Sequence, residues 1–144
     1  MSELAYILVN ASVMPFWVLM VVAPGSQITK RITATPLVPA LYALVYSALL
    51  VPSLLFPAEG GGMHSLDALR IGFDRDVVLL LAWVHYLSFD MATGMWVYRD
   101  ARRLKLSWAA VGPCLVFTLM LGPFGFGAYT LLRWFRAGAT AWES

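Results

Sequence analysis

Two ionisable side chains stand where their surroundings least favour them. Asp90 is the only Asp, Glu, Lys or Arg between residues 77 and 98, and His85 lies five positions before it. On an ideal helix that spacing is about 7.5 Å of rise and roughly 140° of rotation, so the two side chains bracket a space rather than meet. A carboxyl group and an imidazole at the edges of one apolar space are the parts of an acid–base pair. One can protonate a substrate oxygen while the other takes a proton from carbon, and the roles can be exchanged. A carboxylate in mid-bilayer costs at least ~2.5 kcal/mol on insertion scales, and such groups usually face a bundle interior with a partner or a function. Plainer roles stand beside the chemical one. Asp90 could tie its helix to Asn10, Ser12 or Ser47, and His85 could be a helix-packing residue.

At 100° per residue the surrounding helix divides into two faces. Leu80, Val84, Leu87, Met91, Met95 and Tyr98 form one stripe, which is expected to face lipid. The opposite arc carries Trp83, Tyr86, Asp90 and Thr93 on one edge and His85, Phe89 and Trp96 on the other, and it is expected to face the bundle interior. Its rings suit a flat conjugated or prenyl ligand, and they suit ordinary helix packing equally well. Trp17, Trp108, Trp134 and Trp142 fit the aromatic belt of a membrane interface.

Metal and redox chemistry have little to work with. The two histidines, His64 and His85, sit in different elements and cannot form a bis-histidine haem site within one chain. His85, Asp90 and Cys114 match no ligand spacing, so no metal and no cofactor are expected. A single cysteine makes no intrachain disulfide and removes the thiol-pair oxidoreductases.

The elements that must hold these groups follow from charge placement. Of 144 residues 60% are hydrophobic and 12% charged, where soluble domains carry about 25% charged residues. Residues 4–29, 32–58 and 106–132 contain no charge at all, and each run exceeds the roughly 20 apolar residues that a transmembrane helix needs. The expectation is an all-α membrane protein, one domain of four transmembrane helices (about 4–23, 36–56, 77–97 and 109–132) in a compact bundle with short loops. No soluble nucleotide-binding or protease domain fits between them. The net charge of +2 comes from juxtamembrane arginines, which suit membrane lipid better than nucleic acid. Asn10 and Pro15 sit inside the first span, where Pro15 removes a backbone hydrogen bond and frees the carbonyl of Ala11. Gly122-Pro123-Phe124-Gly125 should loosen the last span. Residues 65–76 suggest a short interfacial helix. Loops one and three hold six of the lysines and arginines, against four on the other side, so an N-out, C-out orientation is expected.

Three segments resemble the abscisic-acid-deficient-four-like membrane proteins, whose plant members are associated with neoxanthin synthesis. They are Met14-Pro15-Phe16-Trp17 through Pro24 with Thr29-Lys30, then Ala82-Trp83-Val84-His85-Tyr86-Leu87 with Asp90, Tyr98 and Asp100, and lastly Pro123-Phe124-Gly125. The resemblance covers most of the chain. It departs in lacking a plastid-targeting extension, which implies a bacterial relative in the plasma (inner) membrane. It also implies a hydrophobic carotenoid or isoprenoid ligand, held by Asn10, Pro15, Trp17, Trp83, Tyr86, Phe89, Thr93, Trp96, Pro123 and Gly125. Conversion of an epoxy-carotenoid to an allenic one is an isomerisation, with Asp90 and His85 as acid and base and no redox cofactor. Two alternatives stay open: a carotenoid-binding accessory protein without turnover, and a small proton-coupled transporter using Asp90, either of which could be a homo-oligomer.

Overall fold

The computed structural model describes residues 2–138, whose regular elements are helices with no strand among them. The helices are α1 (Ser2–Val22), α2 (Gln27–Thr33), α3 (Leu37–Leu55), α4 (Leu66–Phe73), α5 (Asp76–Arg103), α6 (Trp108–Leu121) and α7 (Pro123–Ala137). Helices α1, α3 and α5 are long and apolar enough to cross a membrane. The short helices begin at serine caps: Ser26 Oγ accepts from Thr29 N at 3.0 Å, and Ser65 Oγ from Ala68 N at 3.1 Å. Each such cap stabilises its helix by about 1 kcal/mol. Helix α4 matches the expected helix in residues 65–76, whereas α2 occupies a stretch expected to be loop.

Helix α5 is the spine, with α1, α3, α6 and α7 all packed on it. Helix α1 runs parallel to it. The Tyr6 and Trp83 rings lie 5.6 Å apart near one end, Trp17 rests on Gly94 further along, and Tyr98 Oη donates to Pro24 O at 2.6 Å near the other. Helix α3 runs antiparallel, with Tyr46 against His85 at 5.6 Å and Ser88 Oγ donating to Pro39 O at 3.2 Å. One end of the bundle therefore gathers Glu3, Asp76 and the α4 region. The other, basic end gathers α2 and the arginine-rich end of α5.

The expected fourth span, 109–132, is not one continuous helix. Helices α6 and α7 form an antiparallel hairpin that starts and finishes at the basic end. At about 1.5 Å per residue, their 14 and 15 residues extend only about 21–22 Å each, short of a hydrocarbon core of about 30 Å. The turn is made by Gly122, with φ +36° and ψ −91°, a conformation that strains residues bearing a Cβ. Close contact of the two arms is allowed by Gly125, where a Cβ would collide with the backbone of Phe117 and Thr118. The Phe117 and Phe124 rings close the tip edge to face at 5.3 Å. The irregular backbone at the tip is shielded, since Gly122 is buried.

The far end of the hairpin is fastened to α5 by a buried polar cluster. Asp100 Oδ2 accepts from Tyr129 Oη at 2.6 Å and from Arg133 Nε at 2.7 Å, while Asp100 Oδ1 accepts from Arg103 Nη2 at 2.7 Å. Asp100, Tyr129 and Arg133 are all buried. The termini of the described chain consequently lie at opposite ends of the bundle, which corrects the expectation of both on one side.

The faces of α5 are also the reverse of expectation. Leu80, Val84, Leu87, Met91, Met95 and Tyr98 are buried and form the core with Val13, Trp17, Met20, Tyr42 and Leu115. The arc bearing Trp83, Tyr86 and Phe89 faces outward. Hydropathy separates inside from outside only where the outside is water. Apolar side chains suit lipid and protein interior alike, so the close fit of neighbouring helices decides the face.

Candidate functional site

The outward arc follows from the length of the hairpin. Helices α6 and α7 cover α5 from Asp90 to its basic end: Gly122 sits on Asp90, Phe126 and Tyr129 pack on Trp96, and Tyr129 and Arg133 reach Asp100. Beyond Asp90, in the other half of α5, the arc is left uncovered. Trp83, Tyr86 and Phe89 there are 38%, 59% and 63% exposed. The result is a half-length open face, or slot, along α5 that lies between α1 and α3 and ends at the hairpin tip.

Asp90 lies at the floor of this slot. It is half-buried, and a Cβ placed on Gly122 would stand 2.6 Å from its Oδ1. The first turn of α7 begins beside it. Phe126 N donates to Gly122 O at 3.1 Å as the first helical bond, so the N–H groups of Phe124 and Gly125 precede the bonded ladder at the positive end of the helix. Asp90 forms no hydrogen bond or ion pair among the described residues. The partners that could have tied it to other helices are engaged elsewhere. Asn10 Oδ1 accepts from Trp83 Nε1 at 3.1 Å and Asn10 Nδ2 donates to Tyr6 O at 2.7 Å. Ser12 Oγ pairs with Tyr42 Oη at 2.7 Å, and Ser47 Oγ donates to Ala43 O at 2.8 Å.

His85 occupies the α3 side of the slot and is exposed. Its ring lies tilted against Phe89 at 4.8 Å and meets Tyr46 at 5.6 Å and Tyr86 at 6.4 Å. An imidazole carried among rings on an open apolar face is desolvated on one side and reachable from the other. The Asn10–Trp83 pair with Tyr6 lines the α1 side, and a cavity of about 380 Å³ opens there toward Glu3 and Asp76.

The remaining expected site residues separate into groups. Thr93 and Trp96 are half-buried below Asp90, Trp96 meeting Tyr129 edge to face at 5.6 Å under the hairpin. Phe124 and Pro123 are exposed at the tip, with Gly125 buried between the two arms. Pro15 is on the outer surface of α1. Trp17 is fully buried against Gly94 and belongs to the core, and Trp108 donates its N–H to Val21 O at 3.0 Å rather than standing free as an anchor. Trp134 is exposed and Trp142 lies outside the described residues. Among the described residues no three His, Cys, Asp or Glu come together as a metal site.

Sequence reasoning missed Gly122 as the residue facing Asp90, and Asp100 as the anchor of the hairpin. The glycine had a signal, the Gly-Pro pair in the middle of an apolar run. Asp100 with Arg103 had only i, i+3 spacing, and its Tyr129 and Arg133 partners lie 29 and 33 positions away.

A family described as ABA DEFICIENT 4-like matches residues 4–129. The protein ABA DEFICIENT 4, chloroplastic, of Arabidopsis thaliana is 28% identical over 116 residues, which cover 75% of this chain and 52% of that protein. The chain thus spans about half the length of the curated relative it matches. No solved structure matches it.

Proposed function

Because the chain belongs to the ABA DEFICIENT 4-like family, we propose that it is an integral membrane protein that holds a carotenoid or related isoprenoid in the half-length slot on α5 and isomerises it by acid–base chemistry. The observation that carries this reading is the uncovered face of α5. An aromatic arc stands open to the side and ends on a half-buried carboxyl group at a helix N-terminus. A lipid-soluble polyene would enter laterally, lay its chain along Trp83, Tyr86 and Phe89, and bring an oxygenated ring down to the hairpin tip.

In that pose the chemistry needs no electron carrier. Protonated Asp90 gives its proton to the epoxide oxygen and the carbon–oxygen bond opens to a hydroxyl. A base removes the proton from the adjacent vinylic carbon, and its electron pair forms the second double bond of the allene. Substrate and product are isomers, and the proton lost at Asp90 is returned from the base. His85, on the same open face, is the base, or the two exchange roles. The N–H groups at the start of α7 favour negative charge developing at the oxygen.

Membrane placement is supported by three apolar helices and by the distribution of charge. The hairpin brings Arg133 and Arg136 to the end that already holds Lys30, Arg31, Arg99, Arg102, Arg103 and Lys105. Eight of the ten basic residues then share one end, with Arg70 and Arg75 at the other. By the positive-inside rule the basic end is cytoplasmic, with the N-terminus outside and the hairpin entering from inside.

The test is incubation of the purified protein in lipid with an epoxy-carotenoid, followed by chromatography and mass spectrometry of bound and released pigment. Wild type should yield an allenic isomer of unchanged mass. Asp90→Asn and His85→Ala should each lose conversion by at least a hundredfold while still retaining bound pigment. Bound pigment with no conversion in wild type would make the protein a carotenoid-binding accessory. Full conversion in both variants would remove these residues from the chemistry.

A further inference from the structure

A second cavity system lies at the basic end, away from the slot. One cleft, of about 390 Å³, is walled by Lys30 and Thr33 of α2 and by Tyr98, Arg99 and Arg102 of α5. A second, of about 440 Å³, shares Thr33 and Arg99 with it and runs on between α3 and α5 past Pro36, Pro39, Ala92, Met95 and Trp96. The first is cationic; the second, which Thr35, Asp100 and Arg103 also line, presents mostly apolar surface, and the shared residues make the two adjoin.

The walls are fixed in place. Tyr98 Oη donates to Pro24 O at 2.6 Å, holding the α1–α2 connection against α5. Thr33 Oγ1 donates to Thr29 O and Thr29 Oγ1 to Ala23 O, each at 2.8 Å, which set α2 beside it. Charges at this end divide into two sets. Arg103 and Arg133 are committed to Asp100. Lys30, Arg99 and Arg102 form no salt bridge among the described residues, and all three are exposed at the mouth of the cleft. Among the described residues the one carboxylate nearby is Asp100, and it is engaged by two guanidinium groups and a phenol, so it does not offset them.

We propose that this end binds one anionic phospholipid, its phosphate diester held by Lys30, Arg99 and Arg102 and an acyl chain laid in the adjoining apolar cleft. A free phosphate would satisfy the cations and leave the apolar cleft unfilled. A zwitterionic lipid would fill the cleft and bring a fourth positive charge to three cations. An anionic diester with a chain meets both requirements. The site rests on the membrane placement proposed above and is independent of any action on carotenoids.

The experiment uses the full chain extracted from membranes with non-ionic detergent. Recovery of the chain without detergent after an alkaline wash would fail the membrane placement itself, before any lipid is tested. Thermal unfolding is then followed with phosphatidylglycerol, with phosphatidylcholine of the same acyl chains, and with glycerol phosphate. Phosphatidylglycerol should raise the melting temperature by several degrees, and the other two should leave it near the lipid-free value. The shift should disappear in Arg99→Gln/Arg102→Gln and persist in Arg70→Gln/Arg75→Gln at the opposite end. If the double variant does not fold, Lys30→Gln should instead reduce the amount of phosphatidylglycerol retained in native mass spectra. An equal shift with phosphatidylcholine, an equal loss in the opposite-end variant, unchanged lipid binding in the basic-end variants, or a full shift with glycerol phosphate alone would each overturn the proposal.

Discussion

At the scale of single residues, Asp90 and Asp100 are two carboxylates ten positions apart with opposite surroundings. Asp100 is surrounded by donors at 2.6–2.7 Å and joins α5 to α7. Asp90 forms no bond of that kind among the described residues and faces the slot. A buried carboxylate whose two oxygens both accept hydrogen bonds is a structural device, and one left unanswered at an opening is available for chemistry. Replacement of Asp100 by Asn leaves the buried Arg133 guanidinium uncompensated and should cost about 3–5 kcal/mol of stability, read from denaturant unfolding in detergent. Tyr129→Phe, which removes one of three donors, should cost about 1.5–3 kcal/mol. A loss below about 1 kcal/mol in the first case would mean that α6 and α7 hold the hairpin by apolar packing alone.

At the scale of elements, the α6–α7 hairpin decides what the rest of the chain can do. A fourth helix of full length would have covered the aromatic arc, whereas the hairpin turns back at Asp90 and leaves that half of α5 open. Its geometry depends on Gly122. A Gly122→Ala change adds a Cβ at positive φ, which costs about 1–2 kcal/mol, and also presses on Asp90. The expected outcome is a folded protein with displaced Asp90 and reduced carotenoid conversion, measured by the same pigment assay with unfolding as the control. Gly125→Val forces the arms apart against the Phe117 and Thr118 backbone and should lower stability and pigment retention together. Retention of both would show that the arms can separate without disturbing the slot.

At the scale of the whole molecule, the hairpin sets the topology. In the proposed membrane placement three crossings put the two termini on opposite sides, so reporters fused to each terminus should give opposite answers for compartment, with the C-terminal one on the cytoplasmic side. Identical answers would require a fourth crossing. The same arrangement puts eight basic residues at one end instead of the six counted when the last segment is taken as a span.

The sequence by itself determined the helical class, the apolar segments, the break at Gly122-Pro123 and the exceptional position of Asp90 and His85. These follow from local properties: hydropathy run length, glycine and proline chemistry, and the cost of an ionisable group among apolar neighbours. It did not determine which face of α5 is core, since Val84 and Met91 suit lipid and interior equally and only the fit of α1, α3 and α6 around them buries one. Nor did it distinguish a kinked span from a hairpin. A glycine-proline break permits both, and the hairpin appears only in contacts between distant positions, Asp100 with Tyr129 and Arg133 at separations of 29 and 33 and the close approach of the two arms at Gly125. Hydropathy is a property of each residue and survives any rearrangement of the chain. Direction of packing is a property of pairs, and only the tertiary structure chooses the pairs.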